Sequence, residues 1–167
     1  DYVYCGLNKK PIEENSPKNP LNYYGKSKRN GEVFIEQSTS ESIVIRTSWL
    51  YSFYGNNFVN TIIKKAKNNS EIHVVNDQYG CPTYAKDLAD SVMNMILSKL
   101  RLDFDCKIYK YSNLGYTSWS SFAKKIIEYA KLNCKIHEVS SSFFKSTVKR
   151  PKYSITNKDK IISNFNL

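Results

Sequence analysis

Short β-branched runs alternate along this chain with longer stretches in which apolar residues recur at helical spacing. The pattern predicts strands at 43–48, 71–75, 107–111 and 135–139, and helices at 22–37, 57–67 and 87–100. Residues 2–4 are expected to end a strand, a helix is expected after Ser118, and the tail from Ser140 should be irregular with a short helix near Lys158. Such alternation predicts an α/β fold with a largely parallel sheet.

Two features of the helical stretches add detail. Between 57 and 67 an apolar stripe runs opposite a face of lysines, so one side of this helix should be buried; the stripe consists of Phe58, Val59, Ile62, Ile63 and Ala66. Asp87 and Ser118 are placed to cap the helices that follow them, because carboxylate and hydroxyl oxygens accept from free backbone N–H groups at a helix start.

Composition narrows the functional classes. The chain of 167 residues carries 25 basic and 15 acidic side chains, a net charge of +10, which favours anionic partners such as phosphorylated small molecules. The basic residues are scattered, so a solvated lysine-rich surface explains the charge as well, and nucleic-acid binding is not required. No apolar run approaches the roughly 20 residues of a membrane span, and we expect a soluble, cytoplasmic protein without membrane contact.

The four cysteines contain no C-x-x-C pair, and only two histidines are available to complete a metal site. This spacing favours reduced, structural cysteines over disulfides and predicts no metal site. The six glycines contain no G-x-G-x-x-G turn, so a phosphate cradle of that kind lies outside these residues.

One pair of side chains suggests chemistry. Tyr24 and Lys28 are four residues apart at a predicted helix start, which places the ammonium near the phenol. A nearby cation favours the phenolate and makes the phenol a usable proton donor to a developing alkoxide. Tyr23 lacks this partner, because its i+4 residue is Ser27. Taken alone, the pair is weak evidence, and a solvent-facing lysine is the default interpretation.

The surroundings of the pair are informative. The segment NPLNYYGKSKRNGE at 19–32 resembles the catalytic helix of extended short-chain dehydrogenase/reductases, and within them the dTDP-4-dehydrorhamnose reductase family. Further blocks similar to that family follow in order over nearly the whole chain: DYVY at 1–4, RTSWLY at 46–51, GNNFV at 55–59, VVNDQYGCPTY at 74–84, DLA at 87–89, SNLG at 112–115, SW at 118–119 and RP at 150–151. They match only the C-terminal part of a complete family member.

The resemblance implies a fold and a reaction. It implies the C-terminal portion of a doubly wound Rossmann-type sheet plus a small substrate-binding lobe, and reduction of dTDP-4-dehydro-β-L-rhamnose to dTDP-L-rhamnose with NADPH, NADH being possible. Tyr24 then protonates the alkoxide, and Lys28 holds the nicotinamide ribose and tunes the tyrosine. The Ser or Thr of the family's triad would directly precede Asp1, and we expect upstream βα units carrying a Gly-rich turn. Without them this chain alone is expected to be inactive and to bind little NADPH.

The same resemblance assigns a sugar-nucleotide site. Asp1, Tyr2 and Trp49 match positions that line the sugar pocket, although a core aromatic also explains Trp49. Arg150 is a candidate pyrophosphate ligand, because a guanidinium forks onto phosphate oxygens, or else a surface arginine. Asn57 is a further candidate substrate ligand, with Gln78 and Thr83 in similar loops, and structural turns explain all three nearly as well.

The remaining expectations concern organisation and alternatives. Residues 1–50 should end the Rossmann-type domain and 51–167 should form mainly the substrate lobe, with helix 87–100 returning to the Rossmann sheet; a homodimer is possible. Residues 51–55 and 140–149 depart from the family pattern, which leaves the sugar nucleotide open. The runner-up function is a non-catalytic regulatory subunit on the same fold, like the β subunit of methionine adenosyltransferase, and a nucleic-acid-binding module is a third.

Overall fold

The computed structural model describes residues 1–7, 9–38, 41–98 and 106–167. Its α-helices are α1 Tyr23–Glu36, α2 Phe58–Asn68, α3 Ala85–Leu97, α4 Trp119–Tyr129 and α5 Asp159–Phe165. Its strands are β1 Ser42–Arg46, β2 Leu50–Tyr51, β3 Glu71–Val75, β4 Tyr79–Gly80, β5 Thr83–Tyr84, β6 Cys106–Lys110, β7 Thr117–Ser118, β8 Lys135–Val139 and β9 Tyr153–Ser154, with a 3-10 turn at Ser141–Phe143.

The strands pair mostly in parallel, as the sequence predicts. β1 pairs with β6 with Arg46 opposite Lys110, and β3 pairs with β8 with Val75 opposite Val139. The short β2 and β5 also run parallel, and within the described ranges only β4 and β7 pair antiparallel. Parallel pairs need a crossover, and the long connections between β1 and β6 and between β3 and β8 provide it.

The helix starts follow side-chain chemistry. Asn22, Asn57 and Ser118 each accept a hydrogen bond from the backbone N–H three residues ahead, at 2.8, 3.0 and 3.1 Å. The cap expected at Ser118 is therefore confirmed. The cap expected at Asp87 is wrong: α3 begins earlier, at Ala85, and Asp87 lies in its first turn, where it accepts from Asn113 Nδ2 at 2.5 Å.

Two further predicted boundaries differ. Residues 2–4 form a turn rather than a strand end, because the Tyr4 N–H bonds back to the Asp1 carbonyl at 3.1 Å while Val3 and Tyr4 are buried. α3 ends at Leu97, so the expected helix 87–100 is shorter at its C-terminus than predicted, and positions 99–100 lie outside the described residues.

The largest apolar core lies between α2, α4 and the β3–β8 pair. It contains the predicted stripe of α2, and its buried members are Ile62, Ala66, Ile72, Val74, Ala123, Ile126 and Ile127. A second cluster joins α3, β6 and α5 through Met95, Tyr109 and Ile161. The first core holds β3 and α2 at one wall of a cleft of about 550 Å³.

Candidate functional site

The start of α1 carries the tyrosine–lysine pair and packs directly on the turn at residues 1–4. A Cβ on Gly25 would lie 2.2 Å from the Tyr2 carbonyl oxygen, so glycine is required for this close approach. The Tyr2 ring meets the Tyr24 ring edge-on, with centroids 5.3 Å apart. The Lys28 ammonium lies 5.5 Å from the Tyr24 ring centroid, which confirms that the two side chains share a helical face.

A cavity of about 410 Å³ opens beside this pair. Its walls come from three elements: the turn at 1–4, one face of α1, and the C-terminal half of β1 through Thr47. Asp1, Tyr2, Tyr24 and Lys28, four of the residues singled out from the sequence, all line it. Tyr24 is 56% exposed, so its phenol is available to a ligand entering the cavity.

Charged side chains are buried beneath that cavity. Arg46, 5% exposed at the end of β1, donates from Nε and Nη2 to the two carboxylate oxygens of Glu32 at 2.7 and 2.9 Å. Its Nη1 donates to the Tyr4 hydroxyl at 2.6 Å and to the Glu14 carbonyl at 2.8 Å. A bidentate pair of this kind fixes orientation as well as distance. It therefore ties α1, β1 and the turn at 1–4 together.

Lys110 lies beside Arg46 in the β1–β6 register and is fully buried. Its ammonium is 4.6 Å from the Tyr4 ring centroid, and among the described residues Nζ has no hydrogen-bond partner. Burial, with the Arg46 charge adding to it, lowers the pKa of Lys110 to about 7. Burial also raises the pKa of Tyr4 to about 12, against the opposing effect of Arg46.

Trp49 lies between β1 and β2 and has an unusual backbone conformation. Its φ is +46°, in the left-handed region, and its indole stacks on Trp119 with centroids 3.5 Å apart. The Phe58 ring also contacts Trp119, tilted against it with centroids 4.3 Å apart. Trp49 thus packs as a ring behind Trp119, and its predicted contact with substrate stays a prediction.

A second, larger cleft of about 550 Å³ adjoins the first through Tyr2, which lines both. In the part of the chain that the structure describes, this cleft has cationic and aromatic walls and no carboxylate: the polar and aromatic residues are Tyr2, Phe58, Thr61, Lys65, His73, Gln78, Trp119, Phe144 and Arg150. A cavity with this lining suits an anionic, partly planar ligand.

The remaining candidates divide between this cleft and structural roles. Arg150 lines the cleft, and so does Gln78, although Gln78 is also engaged by Trp119 and Ser141. Asn57 is occupied as the α2 cap and donates to the Ser52 carbonyl at 2.9 Å. Thr83 is buried and donates to the Ser48 carbonyl at 2.6 Å. The roles of Asn57 and Thr83 at a ligand therefore remain predictions.

Sequence reasoning missed three residues of the cleft. Lys65 belongs to the lysine face of α2, which the sequence analysis places opposite the buried stripe, and Trp119 appears there only within the family-like block SW at 118–119. His73 lies on β3, where its ring stacks between His137 and Phe143 with centroids 5.2 and 5.0 Å away. No local pattern marks Lys65 or His73 as cleft residues, because the cleft forms only when β3, α2 and the 140–150 segment come together.

Comparison with known proteins agrees with this geometry. The family model described as "RmlD substrate binding domain" matches residues 1–167. The chain belongs to this family. Among the described residues of this RmlD-type chain, no helix is long and apolar enough to cross a membrane.

Three relatives place the chain within the RmlD family. It is 41% identical over 155 residues, 93% of the chain and 53% of the relative, to the spore coat polysaccharide biosynthesis protein SpsK of Bacillus subtilis. It is 34% identical over 174 residues to the dTDP-4-dehydrorhamnose reductase of Escherichia coli K12, covering all of this chain and 58% of that protein. The dTDP-4-dehydrorhamnose reductase of Bacillus anthracis, solved in complex with NADP, superposes with a TM-score of 0.90 at 40% identity, over 98% of this chain and 56% of that one.

These comparisons confirm the resemblance and the Rossmann-like α/β fold expected from the sequence. The chain spans slightly more than half the length of the relatives it matches. The RmlD-type assignment therefore covers the whole chain.

Proposed function

We propose that this chain is part of an NADPH-dependent reductase that converts dTDP-4-dehydro-β-L-rhamnose to dTDP-L-rhamnose. The observation that carries the proposal is the Tyr24–Lys28 pair in the 410 Å³ cavity, beside Tyr2, which lines the larger cleft as well. The reductases described above support the substrate and the cofactor. They give no support to the alternative of a non-catalytic regulatory subunit.

The chemistry of the pair is proton delivery. Tyr24 donates its phenolic proton to the alkoxide oxygen that forms when the ketone is reduced, and Lys28 stabilises the phenolate that is left. Within the described ranges the Lys28 ammonium has no ion-pair partner, so it is available to the ribose hydroxyls of a nicotinamide nucleotide in the 410 Å³ cavity. NADPH, when bound, supplies the hydride.

The larger cleft binds the sugar nucleotide. Arg150 and Lys65 neutralise the diphosphate, and His73 and Gln78 add hydrogen-bonding groups along the same walls. The Trp119 ring, which lines the cleft and stacks on Trp49, offers apolar surface to the deoxysugar. Tyr2 lines both cavities and Asp1 the smaller one, and Asn57 contributes through the loop at Ser52, to which it donates a hydrogen bond.

The strand pairing supports a division of the chain into two parts. Residues 1–50 belong to the Rossmann-type half and 51–167 mainly to the substrate lobe, and β6 returns to pair with β1 after α3. We place the complete enzyme in the cytoplasm, in the synthesis of cell-surface polysaccharides such as O-antigen, as a possible homodimer. SpsK, named for spore coat polysaccharide biosynthesis, supports the general role.

The test is Tyr24→Phe in the complete reductase that contains this chain. We expect turnover to fall by about 10²–10⁴-fold with NADPH affinity nearly unchanged, because the phenol delivers a proton rather than holding the cofactor. Tyr23→Phe is the matched control: Tyr23 is the adjacent residue and 86% exposed, and we expect wild-type turnover. The measurement is steady-state reduction of the 4-keto sugar nucleotide followed by NADPH absorbance.

Lys28→Met separates the two halves of the pair. It should lower turnover and also weaken NADPH binding, since the ammonium serves both the phenol and the ribose. Near-normal turnover in Tyr24→Phe would refute the proton-donor role, and unchanged NADPH affinity in Lys28→Met would remove the ribose contact.

A further inference from the structure

Two oppositely charged side chains lie on the face of α1 that carries Tyr24, and they do not form an ion pair. Lys28 and Glu32 are four residues apart, the spacing at which oppositely charged side chains on a helix normally pair. Both line the cavity beside Tyr24. The structure nevertheless records no ion pair between them within the described ranges, and the Lys28 ammonium lies near the Tyr24 ring instead.

The carboxylate of Glu32 is already occupied on both oxygens. Arg46 donates to Oε1 at 2.7 Å and to Oε2 at 2.9 Å, and Arg29 donates to Oε2 at 3.1 Å. Glu32 is only 7% exposed, so water offers its charge little competing solvation. Two guanidinium groups therefore satisfy a carboxylate that would otherwise attract an ammonium of the same cavity.

We propose that Arg46, assisted by Arg29, sequesters the Glu32 carboxylate and so leaves Lys28 free to serve Tyr24. This inference rests on the proposed function, and it makes Arg46 a positioning residue that acts on Lys28 through Glu32.

The geometry of Arg46 suits this role. It is anchored at its remaining donor nitrogen by the Tyr4 hydroxyl and the Glu14 carbonyl, so it cannot swing away from Glu32. A guanidinium keeps its charge at any physiological pH and meets both carboxylate oxygens at once. A lysine at this position would reach one oxygen only and would leave the other exposed to Lys28.

The first experiment measures where Lys28 is, without using activity. In the complete protein, Lys28 and Lys26 are labelled with an acetylating reagent and the two rates are compared by mass spectrometry. Lys26 is exposed on the same helix and serves as the internal reference. In Arg46→Gln we expect the Lys28 rate, relative to Lys26, to fall about tenfold, because an ammonium held by a carboxylate is a poor nucleophile. Adding Glu32→Gln should restore the ratio.

The second experiment asks whether turnover follows. We expect Arg46→Gln to lower kcat about tenfold and to raise the KM for NADPH, and the double variant Arg46→Gln/Glu32→Gln to recover to within about threefold of wild type. If the network only stabilised the fold, Glu32→Gln alone would lower kcat as much as Arg46→Gln at a temperature where both are folded. Should Arg46→Gln not fold, Arg46→Lys replaces it, with a smaller loss and the same rescue by Glu32→Gln.

The outcomes separate this inference from the proposed function. A wild-type protein without reductase activity contradicts the proposed function, and the labelling ratio still decides the inference. An unchanged Lys28 ratio in folded Arg46→Gln, or a double variant no better than the single one, overturns the sequestration of Glu32.

Discussion

Two regions of the molecule bury their side chains in different ways. Between α2, α4 and the β3–β8 pair the buried residues are aliphatic, with Ala123 fully enclosed and Ile126 and Ile127 nearly so. Around α1, β1 and β6 the buried residues include three charges, on Glu32, Arg46 and Lys110.

The contrast corresponds to a division of labour. Apolar burial is non-directional and holds a wall in place by packing alone. Hydrogen-bonded charges are directional, so the Arg46–Glu32 pair sets the rotation of α1 and the direction in which Tyr24 and Lys28 face. The price is stability, because each buried charge must be satisfied or it opposes folding. The Tyr24–Lys28 pair, to which we assign the chemistry, therefore lies in the region that is held by directional contacts.

The largest effect on stability should come from the apolar region. Ile126→Ala removes a buried side chain from the centre of that core, and we expect a loss of about 2–5 kcal/mol in the free energy of unfolding. Tyr129→Ala on the same helix is the control, because Tyr129 is 82% exposed and its loss should be small. Urea unfolding followed by circular dichroism measures both; equal losses would mean that this core does not carry the stability of the lobe.

In the charged region, a substitution at Lys110 should increase the free energy of unfolding rather than lower it. Lys110→Met removes a buried ammonium, so we expect the variant to be more stable than wild type by roughly 2–4 kcal/mol at pH 6. The pKa of Lys110 is about 7 when folded and about 10.4 when unfolded, so the unfolded state binds more protons between these values. The stability of wild type relative to the variant should therefore rise from pH 7 to pH 10.

Unfolding of wild type and Lys110→Met by urea at pH 6, 8 and 10 checks this difference, and the subtraction removes the contributions of groups common to both proteins. Lys64→Met, at an exposed lysine of α2, is the control and should show no pH-dependent difference. A difference between wild type and Lys110→Met that stays constant with pH would show that Lys110 is not a penalised charge.

A smaller effect is expected at the junction between the regions. Gly80→Ala would place a Cβ 2.5 Å from Trp49 Cε2 and push that ring off Trp119, at a cost of about 1–3 kcal/mol. The chain's two tryptophans are the two rings of this stack, so indole fluorescence reports the change directly. Gly31→Ala in α1 meets nothing within 4 Å and should instead stabilise by up to about 1 kcal/mol.

Removing a helix cap should cause the smallest loss of stability, and the loss should be similar in the two regions. Asn22→Ala and Asn57→Ala each remove an oxygen that accepts from the N–H three residues ahead, and we expect a loss of about 1 kcal/mol from each. Each asparagine also donates to a loop carbonyl, of Lys149 and Ser52 respectively. Urea unfolding measures both losses. If Asn22→Ala cost several times more than Asn57→Ala, α1 would depend on its cap more strongly than α2 does.

Much of the fold was readable from local pattern. The stripe on α2, the strand at 71–75 and the cap at Ser118 were predicted because periodicity and capping act over a few neighbouring residues. The predicted element boundaries were wrong where a contact with a residue distant in the chain determined the local structure. Asp87 accepts a hydrogen bond from Asn113 rather than capping α3. In the turn at residues 2–4, the Tyr4 hydroxyl accepts a hydrogen bond from Arg46.

The candidate site divides in the same way. The sequence alone determined the Tyr24–Lys28 pair, since i and i+4 meet on any helix, and the family motifs around it. Only the tertiary structure decided that Trp119 rather than Trp49 faces the cleft, that Lys65 and His73 join Arg150 there, and that Arg46 occupies Glu32 beside Lys28. Those contacts join residues far apart in the chain, and their geometry is fixed by packing between elements, which no local pattern of residues encodes.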